Sequence, residues 1–316
     1  MKVGRYVPKP LKNAILQVVR IPEKTKWKVY SAASLGQIPF PDKAFQKWDY
    51  KVHCGRRLSF RNPQTFCEKL QWLKYYYRNP AYTDLVDKYA VRDYVKEKIG
   101  EEYLVPLYGV YDRWDDIDFD KLPDRFVLKC THDSGSVVIC KDKATFDFEK
   151  AKEKINFCLG RNQFYLSREW PYKNVEPRII AEQYLEGDPE FGLIDYKLFM
   201  FNGQFKFILV CSNRFMDGGM KQSFYDIDWR KMDVAQTEEI SENREIEKPK
   251  DFQRMIECAE KLSVDMPFVR VDFIVSRDKL YFSELTYFES GGRKPYIPQE
   301  FELQCGEWIT LPPKMR

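Results

Sequence analysis

No stretch of this chain is apolar for long enough to cross a bilayer, so nothing in it reads as a membrane span. Cysteine pairs of the C-x-x-C kind are also missing. The eight cysteines, at 54, 67, 130, 140, 158, 211, 258 and 305, are scattered, and only His53 and His132 could join them around a metal. A zinc site of ordinary spacing is therefore excluded. Neither G-x-x-x-x-G-K-[ST] nor G-x-G-x-x-G occurs, so the two commonest nucleotide fingerprints are absent. Nothing in the sequence suggests a Ser-His-Asp or Cys-His arrangement. No long block of one charge appears either. The net charge of +4 reads as spread along the chain, which does not indicate nucleic acid but suits an anionic substrate. The N-terminus shows no signal-peptide pattern. Cys130, Cys140 and Cys211 lie in apolar strand-like runs and read as buried free thiols, so a cytoplasmic location is expected.

What is present is enough hydrophobic residue, 44%, for a sizeable core and 16% aromatics. Residues 1–60, broken by prolines, read as an N-terminal extension packed on the body. Its first twenty residues are basic with an apolar patch, Ala14 to Val19. They read as a docked helix, with peripheral membrane contact as the alternative. Asn62-Pro63 opens a helix, and Thr65 with Glu68 offers an alternative capping box. A second helix is predicted from Thr83 to Gly100, with Asp87, Lys88 and Arg92 on its charged face. Strands are predicted at 104–110, 126–130 and 137–141. The last two flank the polar loop THDSGS (131–136) and carry Lys129 and Lys141. Such a lysine faces solvent unless a cleft lies over it, where it becomes a phosphate ligand. A helix over 148–159, a strand over 178–185 and a hairpin across Asn202-Gly203 follow. Residues 160–177 and 213–248 read as loops, 252–262 as a helix, and the tail from Gly291, with its prolines and aromatics, as packed back on the body.

The decisive stretch is FVRVDFIVSRDKLYFSELTYFESGG, residues 268–292, which reads as a β-hairpin. Arg270 and Asp272 share one face of its first strand, and Glu284 and Thr286 one face of the second. Facing carboxylates repel unless a cation lies between them, and hard oxygens on rigid strands suit Mg²⁺. An exposed hairpin with ordinary surface charges explains the stretch equally well. Register separates the two. A three-residue loop, 277–279, pairs Ser276 with Leu280 and sets Asp272 opposite Glu284. A two-residue loop pairs Asp272 with Ser283 and turns Glu284 away. The three-residue loop is the expectation.

In wording and order the segments 87–100, 122–143, 177–187, 195–203, 259–275 and 282–286 resemble the TupA-like ATP-grasp family, named for teichuronopeptide synthesis. The resemblance implies an α+β, ATP-grasp fold, with the nucleotide between two subdomains built on antiparallel sheets, about 104–185 and about 186–316, within a domain of residues 61–316. It implies ATP and Mg²⁺ as cofactors. Lys129 and Lys141 would hold phosphates, with Ser134, Gly135 and Ser136 closing over them and Lys88 assisting. Glu182, Gln183, Tyr184 and Leu185 would line the adenine, and Asp195 and Lys197 the ribose and phosphates. Asp272, Glu284 and Thr286 would bind the metal, with Thr286 where related enzymes carry Asn. Arg270 would stabilise the transferring phosphoryl group.

The resemblance further implies a carboxylate–amine ligase working through an acyl phosphate on a uronic acid or glutamyl acceptor of cell-surface polysaccharide. Its partners would be that acid and an amine, with no nucleic acid and no transmembrane segment. A sugar kinase on the same fold is the alternative. A glycosyltransferase using Asp226-Ile-Asp228 ranks below both. The loops 160–177 and 213–248, with Tyr172 and Arg214, are expected to shape the acceptor pocket.

Overall fold

The computed structural model describes residues 23–236, 241–242 and 244–315. The predicted docked helix or membrane contact of residues 1–20 lies outside them. Helices α1 (Glu23–Ser34) and α2 (Asp42–Cys54) come first. They meet through Tyr30, stacked on Phe45 at 5.6 Å and edge-on to Trp48 at 5.3 Å. Helix α3 (Phe66–Tyr76) begins at the Thr65/Glu68 capping box rather than at Asn62-Pro63. The predicted helix from Thr83 to Gly100 is two helices, α4 (Tyr82–Val86) and α5 (Val91–Lys98). Asp87 divides them, because its carboxylate accepts the backbone N–H groups of Tyr89 and Ala90 and competes with the helical ladder.

The first sheet contains β1 (Leu107–Tyr111), β2 (Phe126–Cys130), β3 (Val138–Cys140) and, after helices α6 (Phe148–Leu159) and α7 (Phe164–Ser167), β4 (Ile179–Gln183). Its order is β1-β4-β2-β3, antiparallel throughout. The strand predicted from residue 104 starts three residues later, because residues 101–103 form a 3-10 turn. Alternation decides the two faces. Phe126, Leu128 and Cys130 pack with Ile155 of α6, while Val127 and Lys129 point the other way, towards the cleft.

The second sheet has the order β10-β9-β5-β6-β7. Its members are β5 (Asp195–Phe201), β6 (Gln204–Ser212), β7 (Lys221–Tyr225), β9 (Phe268–Ser276) and β10 (Lys279–Thr286). Strand β7 and the two-residue strand β8 (Ala235–Gln236) lie within the segment predicted to be loop. Helix α8 (Phe252–Leu262) packs on one face through Met255, Ile256, Ala259 and Leu262. On the opposite face, Phe199, Phe201, Phe207 and Phe268 meet Phe66 of α3, Tyr296 of β11 (Tyr296–Ile297) and Phe301 of helix α9 (Gln299–Trp308). The tail thus packs back on the body, as expected, and does so through a helix. It packs so closely that a Cβ on Gly306 would fall 2.0 Å from the Gln64 carbonyl oxygen.

The hairpin that carries the predicted metal carboxylates has a two-residue turn, not the expected three. Ser276 pairs with Lys279, and Arg277 and Asp278 both take positive φ, 50° and 58°. That register alone would turn Glu284 away from Asp272. A β-bulge at Ser283 reverses it: Phe282 pairs with Phe273, and Glu284 pairs with Asp272.

Candidate functional site

A cleft with a cavity of about 340 Å³ separates the two sheets. Val127, Lys129 and Ile139 line it from the first sheet, with Lys141, one residue past the end of β3 rather than within the predicted strand, and Lys88 from the turn before α5. Gln183 at the end of β4 and residues 184–188, which lead towards the second sheet, also line it, as do Arg214, Phe215 and Met216. Ile274, Phe282, Ser283 and Glu284 line it from the second sheet.

Lys129 donates to Glu182 Oε2 at 2.7 Å, and Arg92 lies 3.6 Å from Glu182 Oε1. Lys88 Nζ donates to the Asp133 carbonyl at 2.5 Å, tying α5's leading turn to the polar loop. Lys141 is exposed. Within the loop, Ser134 and Gly135 are exposed and do not line the cleft. Ser136 is buried, and its hydroxyl accepts the backbone N–H of Cys130 at 2.8 Å. His132 is buried against the Arg161 carbonyl, at 3.1 Å, and burial depresses its pKa. Gln183, Tyr184 and Leu185 line the cleft beside Glu182.

On the second sheet one face changes character along the strands. Phe201 pairs with Phe268 and Phe199 with Arg270; then Lys197 pairs with Asp272 and Asp195 with Ile274. The aromatic end is core, and the charged end lies towards the cleft. Arg270 donates through Nε to Asp272 Oδ1 and through Nη2 to Asp272 Oδ2, both at 2.6 Å. Lys197 reaches Asp272 Oδ2 at 2.5 Å. Burial would raise the Asp272 carboxyl, but Arg270 and Lys197 outweigh it and hold it at about 2. Arg270 Nη2 also reaches Glu284 at 3.2 Å, and its Nη1 donates to Glu289. Arg214 pairs with the buried Asp195 at 2.6 Å.

The sequence matches a family described as TupA-like ATPgrasp over residues 68–310. The chain belongs to that family. No match occurs among curated proteins. Similar solved structures include a D-alanine–D-alanine ligase from Bacillus anthracis complexed with ATP, at 16% identity and a TM-score of 0.36, with 70% of this chain and 55% of that chain covered. A D-cycloserine synthetase is 15% identical with a TM-score of 0.41, covering 72% of this chain and 70% of that one. An N5-carboxyaminoimidazole ribonucleotide synthetase from Thermus thermophilus is 12% identical with a TM-score of 0.37, covering 71% and 52%. The TupA-like chain thus spans little more than half the length of the first of these.

Of the residues picked out in this TupA-like chain by sequence, Lys88, Lys129, Lys141, Glu182, Gln183, Tyr184, Leu185 and Glu284 line one cavity. Arg270, Asp272, Asp195 and Lys197 stand behind it, bound to one another or to Arg214. Thr286 lies across from Arg270. Asp272 and Glu284 fit a divalent cation in donor chemistry and register. Mg²⁺ takes one or two protein carboxylates, so it needs no larger cluster. Among the described residues no group of three or more His, Cys, Asp or Glu is arranged around a metal position. The side chain of Glu284 is 39% exposed, towards the cleft, and that of Asp272 is 1% exposed and saturated by cations.

Sequence reasoning missed three residues here. Arg92 lies on a helix face whose composition reads as solvated. Asp133 is buried in the polar loop and binds Arg161 at 2.7 Å. Glu289 lies just beyond β10 in a turn with no periodicity, so no pattern marked it. The D-x-D candidate is occupied locally: Asp226 Oδ1 accepts the backbone N–H groups of Asp228 and Arg230, and Asp228 pairs with Arg230.

Proposed function

We propose that this protein is an ATP- and Mg²⁺-dependent carboxylate–amine ligase that forms an amide on a uronic acid or glutamyl acceptor in cell-surface polysaccharide synthesis. The observation that carries this is the cleft itself. In a chain of the ATP-grasp class, three lysines on one wall face a carboxylate on the other, with a buried Arg/Lys/Asp cluster behind it.

In this reading Lys129, Lys141 and Lys88 hold the phosphates of ATP, and residues 183–185 present backbone and side-chain groups to the base. Ser134 and Gly135 move in over the phosphates, pivoting on Ser136. Asp272 and Glu284 hold Mg²⁺, which supplies neutralisation of phosphate charge; Thr286 adds at most a weak oxygen. The acceptor's carboxylate oxygen attacks the γ-phosphorus, the bond to ADP breaks, and an amine then displaces phosphate from the acyl phosphate, releasing a proton as the amide forms. Arg270 and the lysines stabilise the charge that develops on the phosphoryl oxygens. Walls of Val127, Ile139, Ile274 and Phe282 exclude water from the reacting centre. The turn-bound Asp226 and Asp228 disfavour the glycosyltransferase alternative.

Melting curves with ATP and Mg²⁺ test the nucleotide site. Binding should raise the melting temperature of the wild type, and Asp272→Asn with Glu284→Gln should abolish the Mg²⁺-dependent part. A shift with a sugar nucleotide but none with ATP would overturn the reading. Amine-dependent release of ADP separates the ligase from a sugar kinase, which consumes no amine.

A further inference from the structure

Glu289 has no part in that mechanism, yet it is one of the most constrained side chains near the cleft. It is 5% exposed, its Oε2 accepts from Arg270 Nη1, and its Oε1 accepts from the Ser290 hydroxyl at 3.1 Å. It does not line the cleft. The turn that follows it is unusual. Ser290, Gly291 and Gly292 take φ values of 49°, 64° and 64°, three successive left-handed residues. A serine there is strained, and such strain persists only where the surroundings impose it. The surroundings are two fully buried polar side chains of α3. Gln71 donates to the Gly291 and Gly292 carbonyls at 3.1 and 3.0 Å, and Lys74 donates to Gly291 at 2.7 Å. A Cβ on Gly292 would stand 3.2 Å from Gln71 Nε2 and from Leu70 Cβ. Helix α3 therefore fixes the turn, the turn fixes Glu289, and Glu289 holds one edge of the Arg270 guanidinium.

The other edge of Arg270 is held by Asp272, the carboxylate assigned to the divalent cation. These two uses of Asp272 compete. A carboxylate that turns towards a cation gives up donors, and a buried guanidinium left without a partner is costly. Of the remaining carboxylates, Glu284 is only partly buried and is itself assigned to the metal. We infer that Glu289 is a positioning residue that keeps Arg270 paired and aimed when Asp272 shifts to a divalent cation, so that metal binding does not strand the arginine. The inference rests on the proposed assignment of Asp272 and Glu284.

The test reads metal binding rather than turnover. Mn²⁺ affinity is measured by electron paramagnetic resonance with a non-hydrolysable ATP analogue present. Glu289→Gln should weaken Mn²⁺ binding by about tenfold, the usual scale for a group supporting a ligand. In an Asp272→Asn background the same change should have no further effect, because no competition for Asp272 remains. Unchanged Mn²⁺ affinity in Glu289→Gln, whatever its melting temperature, would overturn the inference. So would an equal loss in the Asp272→Asn background, which marks a general structural effect. If Glu289→Gln does not fold, Ser290→Ala, which removes one donor to the same carboxylate, should weaken Mn²⁺ in the same direction, and no change there overturns it. Should Asp272→Asn alone leave Mn²⁺ affinity intact, the proposed metal assignment falls instead.

Discussion

Arg270 shows how much one residue position decides. It sits where the face of the second sheet turns from aromatic to charged, opposite Phe199 on one side and Thr286 on the other. Its pKa is driven up because Asp272 and Glu289 outweigh the burial that would lower it. The linkage for Asp272 has the opposite sign. Its folded pKa, about 2, lies below the ordinary 3.8, so the stability it contributes is complete above pH ~4 and is lost as pH falls through about 2. Acid titrations of unfolding free energy should show this loss in the wild type and not in Asp272→Asn. At neutral pH that variant should be less stable by about 3–5 kcal/mol, since it leaves Arg270 and Lys197 buried with one carboxylate fewer.

At the scale of elements, the β9–β10 hairpin combines two departures from regular pairing. The two-residue turn sets one register and the bulge at Ser283 corrects it, and only both together bring Glu284 across from Asp272. Arg277 and Asp278 hold a backbone conformation that Asn-Gly adopts more readily. Arg277→Asn with Asp278→Gly should raise stability by about 0.5–1 kcal/mol in denaturant titration, given the cost of left-handed backbone in side-chain-bearing residues. The bulge and the metal response should be unaffected. The other hairpin of this sheet, across Asn202-Gly203, was legible from its dipeptide alone and runs over Asp195–Phe201 and Gln204–Ser212.

At the scale of the whole molecule, the end of β6 and the residue after it are tied to Glu242 and Arg244. Asn213 accepts from Arg244, which is bound to the fully buried Glu242, and Ser212 donates to the same carboxylate. This clasp sets the loop from which Arg214 lines the cavity. If that lining shapes the acceptor pocket, Arg214→Ala should raise the acceptor's KM by on the order of tenfold, the worth of one hydrogen bond to a charged group. The ATP dissociation constant, measured calorimetrically, should hold. Loss of ATP binding instead would count against an acceptor role.

Local pattern was sufficient for much of this protein. Alternation marked β9, the Asn-Gly dipeptide marked β5 and β6, and β2 was read as a strand carrying a lysine. The lysines at 129 and 141, the stretch 182–185 and the carboxylates at 272 and 284 stood out by residue type and order. Strand periodicity is local physics, and so is a turn dipeptide. What only the tertiary structure decided depends on partners distant in sequence. The bulge at Ser283 exists because β10 must pair with β9 while burying its own apolar side chains. The turn at 290–292 is left-handed because Gln71 and Lys74, over two hundred residues earlier, bind its carbonyls. The break at Asp87 is stabilised by Arg178, 91 residues away. No window of sequence contains both halves of such a contact, so Glu289 and its hold on Arg270 emerged only from the folded chain.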